Sequence, residues 1–229
     1  MNESISVSMN YAALPIVALV VSGLFALNRQ VSKPRLSMFQ HFAAGVVIAS
    51  VALELLPVLL KAGSVPGMTL GYIAGVAVML IIERLAARTG AKVPIAIDLF
   101  IDGLLLMIGF STGEKGGFLL LLGLTLETTA LGIVLAPSLA AGGKTRTQVI
   151  VPLMGFGLSI LAGAGCGLFL PRETGFWFAA ILGFGVAALL YLVVEELIAE
   201  AHETKDTAFT TALFFAGFLI PLLLGQVGP

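Results

Sequence analysis

The chain is poor in the residues that build soluble catalytic and metal-binding proteins. Its 229 residues include one cysteine, Cys166, and two histidines, His41 and His202. A single thiol excludes an intrachain disulfide and is a poor metal site by itself. Cys166, set among Ala164, Gly165 and Gly167, reads as a small packing residue. There is no His-Glu-x-x-His, no Walker-type phosphate loop and no Ser/His/Asp set inside an apolar run, so no enzymatic activity is expected. Charge is scarce as well. Only 11% of residues are Asp, Glu, Lys or Arg, and the formal net charge is −1, which excludes a nucleic-acid partner. No basic segment precedes the first apolar run and no clear cleavage site follows it, so that run is expected to remain as a membrane helix rather than leave as a signal peptide.

Apolar residues fill the space. They make up 59% of the chain, and the mean hydropathy is +1.08. Several runs approach the roughly 20 residues that cross a bilayer core about 30 Å thick. The fold expected is all-α, a single polytopic transmembrane domain over residues 1–229 with the lipid bilayer as its partner. Eight spans are read: Tyr11–Ala26, Ser37–Leu60, Gly67–Leu85, Val93–Phe110, Gly117–Leu139, Thr147–Leu170, Gly175–Glu200 and Thr207–Val227. Trp177, between Phe176 and Phe178, reads as an interfacial anchor.

Lysine and arginine in the connections orient the chain. Arg29, Lys33, Arg35, Arg84, Arg88, Lys92, Lys144, Arg146 and Lys205 fall on one side, and Lys61, Lys115 and Arg172 on the other. The positive-inside rule puts the larger group in the cytoplasm. Both termini are then outside, and the plasma (inner) membrane is the expected location.

Acids inside the apolar runs carry the functional signal. Span four holds Asp98 and Asp102, span five Glu127, and neither contains a lysine or arginine. Intramembrane acids are costly and point to function. At about 1.5 Å per residue, Asp98 lies about 8 Å and Asp102 about 14 Å from the cytoplasmic end of its span, while Glu127 lies about 15 Å from the outer end of its own. Asp102 and Glu127 are therefore expected at similar depth near the midplane, with Asp98 on the same helix face as Asp102. Glu54 on span two and Glu195 and Glu196 on span seven extend the acids toward the two ends. The segments Val47–Leu56 and Ala188–Ile198 look alike and run in opposite directions. They suggest an inverted repeat of spans one to three and six to eight around a central pair, four and five. An intramembrane aspartyl protease needs two facing aspartates, whereas Asp98 and Asp102 share one helix.

With these landmarks the chain resembles the ZIP family of divalent metal transporters. Span two reads His41-Phe42-Ala43-Ala44-Gly45-Val46, then Glu54-Leu55-Leu56-Pro57. The family's span-four motif, His-Asn-x-Pro-Asp/Glu-Gly, is matched by Asp98-Leu99-Phe100-Ile101-Asp102-Gly103, and its span-five motif by Glu127-Thr128-Thr129-Ala130-Leu131-Gly132. Both motif histidines are carboxylates here, both motif prolines are absent, and Gly163-Ala164 stands where many members have Glu-Pro. The short connection Glu83–Lys92 has no histidine. The resemblance implies a divalent metal cation as substrate, moved toward the cytoplasm, and a homodimer. It assigns Asp98, Asp102, Glu127 and Thr128 to the metal, with Thr125 and Ser50 assisting. Ser50, Glu54, Glu195, Glu196 and His41 then line the transport pathway. Zn²⁺ or Fe²⁺ follows from the family, whereas an all-oxygen ligand set suits Mn²⁺ or Mg²⁺. His202, beside Glu200, Glu203 and Asp206, reads as part of a solvated loop. Two other functions are compatible with the same acids: a proton-coupled carrier of another solute, and a ZIP-like metal-binding protein with little transport.

Overall fold

The computed structural model describes residues 10–29, 31–89, 92–141, 143–170 and 174–226. The predicted connection Pro171–Glu173 with its Arg172, the polar start Met1–Met9, and Val227 at the end of the eighth predicted span lie outside them. Among the described residues the chain is helical, with no strand. Eight helices follow one another: α1 Ala13–Asn28, α2 Lys33–Lys61, α3 Val65–Thr89, α4 Lys92–Thr112, α5 Glu114–Ala140, α6 Arg146–Gly167, α7 Phe176–Ala201 and α8 Ala208–Gln226. Their described ends lie within four residues of the predicted spans. Six of them, α2, α3, α5, α6, α7 and α8, are long and apolar enough to cross a membrane. α1, at 16 residues, is shorter. The chain is thus a polytopic, membrane-type helical protein.

Local signals explain several boundaries. Pro34 sits in the first turn of α2, where its missing N–H costs nothing. α6 opens on a capping box: Gln148 N–H donates to Thr145 Oγ1, and Thr145 N–H donates to Gln148 Oε1. Two helices widen into π-helical turns, Val51–Leu55 in α2 and Val193–Ile198 in α7. In α2 the cause lies just downstream. Pro57 cannot donate and crowds the preceding turn, and Leu56 N–H reaches back five residues to Val51 O. Each π turn holds acids, Glu54 in the first and Glu195 and Glu196 in the second.

The layering follows from burial. In α2, α5 and α7, 56% of the apolar window is buried, against 28% in α3, 39% in α6 and 17% in α8. The outer helices turn apolar side chains outward. Val17, Val21 and Phe25, spaced by four on α1, are all exposed, as are Val151 and Leu158 on α6 and Phe215 and Leu223 on α8. In water such faces would be a liability, whereas in lipid they are the expected surface.

Helix pairs are seamed by glycine. A Cβ on Gly103 of α4 would run into the carbonyl oxygen of Ile160 on α6, and one on Gly163 of α6 into that of Phe100 on α4. Gly45 and Gly217 seam α2 to α8 in the same way, Gly71 and Gly183 seam α3 to α7, and Gly23 and Gly132 seam α1 to α5. Lipid offers no hydrophobic drive between helices, so close backbone approach of this kind supplies the packing. Gly103→Ala is therefore expected to lower the melting temperature of the purified protein by several degrees. Overpacking typically costs about 1–3 kcal/mol. The control is Gly155→Ala on α6, where an added Cβ meets nothing and no change is expected.

Candidate metal centre

α4 and α5, consecutive and packed together, bring the predicted acids to one point. One carboxylate oxygen each from Asp98, Asp102 and Glu127 lie within 4.8 Å of one another. Asp98 and Asp102 are one helical turn apart on α4, and Glu127 faces them from α5. All three residues are buried, at 6%, 3% and 6% exposure. Carboxylate oxygens only accept, so groups this close need protons or a cation between them. Asp102 Oδ2 and Glu127 Oε2 are buried with no hydrogen-bond partner among the described residues. Each such atom costs about 1–3 kcal/mol.

The surroundings are apolar and tight. Asp102 and Glu127 line a cavity with Val47 and Ser50 of α2, Gly123 of α5 and Leu189 of α7. It leaves about 20 Å³ for the centre of a water-sized sphere, room for one water or one ion. Hard divalent ions take oxygen ligands at about 2.0–2.6 Å, which spaces the oxygens around a single ion about 3–5 Å apart. The trio has that spacing and that donor chemistry. No histidine lines the cavity.

The other residues singled out in the sequence divide into near and far. Ser50 is fully buried at the cavity, and its Oγ donates to Val46 O and Leu119 O, at 2.9 and 3.0 Å. The hydroxyl proton is thus committed, and the oxygen remains an acceptor. Thr128 is also buried but does not line the cavity. Its hydroxyl donates to Leu124 O at 2.9 Å and Thr125 O at 3.2 Å, within its own helix. Thr125 likewise donates back to Leu121 O. Glu196, exposed in the π turn of α7, lies close enough to act electrostatically on all three acids. Glu195 is exposed beside it, and half-buried Glu54 sits in the π turn of α2, away from the cavity lining.

His41 is buried near the start of α2, apart from the acidic trio. The residue the sequence reading set aside is His202. It lies in the exposed connection after α7, where its ring packs edge-on against that of His41, with centroids 5.5 Å apart, and both rings face Asp206. The i, i+4 spacing of His202 and Asp206 was the available signal. Proximity to His41 was not, because 160 residues separate the two histidines' surroundings, as in the bond from Gln40 to Glu200.

Neither a protein-family model nor a curated protein matches the chain. Function must be argued from the residues. If the trio holds a cation, Mn²⁺ or Mg²⁺ at about 100 times its Kd should stabilise the protein by about 2.7 kcal/mol. Thermal unfolding in detergent reads this as a rise in Tm. Asp102→Asn should abolish the rise, and Thr128→Val should leave it intact.

Proposed function

We propose that the chain is a ZIP-like secondary transporter of a divalent metal cation across the plasma membrane toward the cytoplasm. The carrying observation is the meeting of three buried carboxyl groups from two antiparallel helices, with two oxygens left unpartnered and no lysine or arginine in either run. One divalent ion and one proton neutralise three carboxylates.

Eight spans and an inverted repeat belong to the same reading. Exchanging helices one to three with six to eight, and four with five, maps the α1–α5 seam onto α6–α4 and the α2–α8 seam onto α7–α3. The same exchange maps the π turn of α2 onto that of α7. Repeats of this kind pack around a site near the bilayer midplane and alternate its access by moving one bundle against the other. Asp102 and Glu127 bind at the centre, Ser50 contributes a lone pair, and Asp98 and then Glu196 lead toward the cytoplasmic end. Glu54 occupies the opposite end of the route. Oxygen-only donors suit Mn²⁺ or Mg²⁺, and Mn²⁺ serves as the probe.

The test is uptake into proteoliposomes. Wild type should accumulate Mn²⁺, and Asp102→Asn with Glu127→Gln should reduce uptake to the protein-free level. Unchanged uptake in the double variant rules the reading out. Carboxylate ligands must lose their protons to bind, so lowering the pH should raise KM for the metal. Flux driven by a pH gradient with no metal present would favour the proton-coupled carrier instead, for which the buried carboxyl trio is the relevant feature.

A further inference from the structure

A second group of side chains has ligand chemistry that the acidic trio lacks. His41, near the start of α2, and His202 and Asp206, in the connection between α7 and α8, present ligand atoms within 4.8 Å of one another. His41 Nε2 lies 3.6 Å from Asp206 Oδ1, and His202 Nε2 lies 2.9 Å from Asp206 Oδ2.

The outer hydrogen bonds are what distinguish this group from an accidental one. His41 Nδ1 faces the carbonyl oxygen of Ser37 at 2.8 Å, and His202 Nδ1 faces that of Ile198 at 2.7 Å. A carbonyl oxygen only accepts, so each Nδ1 carries the proton. Nε2 is then the ring atom that each histidine turns toward Asp206, and a bound metal would take the place of any proton held there. Backbone carbonyls holding Nδ1–H are the usual orienting partners of metal-ligating histidine. His41 is anchored by burial, while His202 and Asp206 are about half exposed. The two exposed side chains have the freedom to close from 4.8 Å to the shorter spacing that ligands at about 2.0–2.2 Å from a zinc-like ion require.

We infer that His41, His202 and Asp206 form a second metal site, for a borderline divalent transition ion of the Zn²⁺ or Co²⁺ type, with water completing the coordination. Two imidazoles and one carboxylate favour such ions over Mg²⁺ or Ca²⁺. The site sits at a seam that is already stitched. Ser37 Oγ donates to Ala201 O at 2.8 Å, Gln40 Nε2 donates to Glu200 Oε2 at 2.6 Å, and Lys33 pairs with Glu203 at 3.5 Å. A bound ion clamps the start of α2 to the end of α7, the two helices that carry the π turns and line the central cavity. The inference does not depend on transport.

The experiment uses the full-length chain in detergent with the trio neutralised by Asp98→Asn, Asp102→Asn and Glu127→Gln, which keeps the two sites apart. Co²⁺ alone is added and read by its visible d–d absorption. One equivalent should bind with the bands of a nitrogen- and oxygen-ligated ion. Adding His202→Gln or, separately, Asp206→Asn should weaken binding by more than about tenfold, the size of loss that even an outer partner of a metal ligand causes. Both positions are exposed enough for the fold to tolerate them, and the buried His41 is left untouched. No Co²⁺ uptake by the trio-neutralised protein, or bands that survive both further changes, would overturn the inference and leave an ordinary His–Asp ion pair.

Discussion

Three carboxyl groups buried at one point, with no lysine or arginine in the apolar spans Val93–Phe110 and Gly117–Leu139 that carry them, set the terms for the rest of this molecule. Such a group is tolerable only if something neutralises it. Two oxygens face a cavity of ion size whose other walls are leucine, valine, glycine and the one polar residue Ser50. A divalent cation together with one proton would satisfy the charge, the spacing and the unpartnered atoms, which is why the proposed function starts there and not from overall likeness.

The architecture buries this point between four helices. α2, α4, α5 and α7 enclose it, and α1, α3, α6 and α8 face outward with exposed valine, leucine and phenylalanine. Glycine at the helix seams lets backbones touch, so the pairs hold without hydrophobic drive. The π turns in α2 and α7 are placed where acids occur. Wide turns of this type recur at functional sites, since they shift side chains around the helix axis and leave the backbone able to readjust. Pro57 explains the turn in α2. No residue of comparable effect accounts for the one in α7.

Much of this was legible in the sequence, for physical reasons. Hydrophobic runs bounded by charged connections mark helices almost regardless of context, so the described ends fall within four residues of those read from the chain. The two aspartates four apart, and the depth match to Glu127, followed from helix rise alone. Thr128 did not. Its neighbour faces the cavity, but a step of one residue turns a helix by about 100°, and its hydroxyl found a carbonyl within its own helix. His202 does lie in an exposed connection, but its contact with His41 was not legible. Loop composition says nothing about which distant helix end a loop lies against, and His41 meets it only through the packing of α2 beside α7.

The central claim is that the trio binds one divalent ion through oxygen alone. X-ray absorption at the manganese edge tests it on protein loaded with one equivalent of Mn²⁺, using the His202→Gln variant so that the outer histidine pair cannot compete. The account predicts a first shell of oxygen atoms only, lost when Glu127 is changed to Gln. An imidazole signature in that shell, or the same shell in the Glu127→Gln protein, would contradict it.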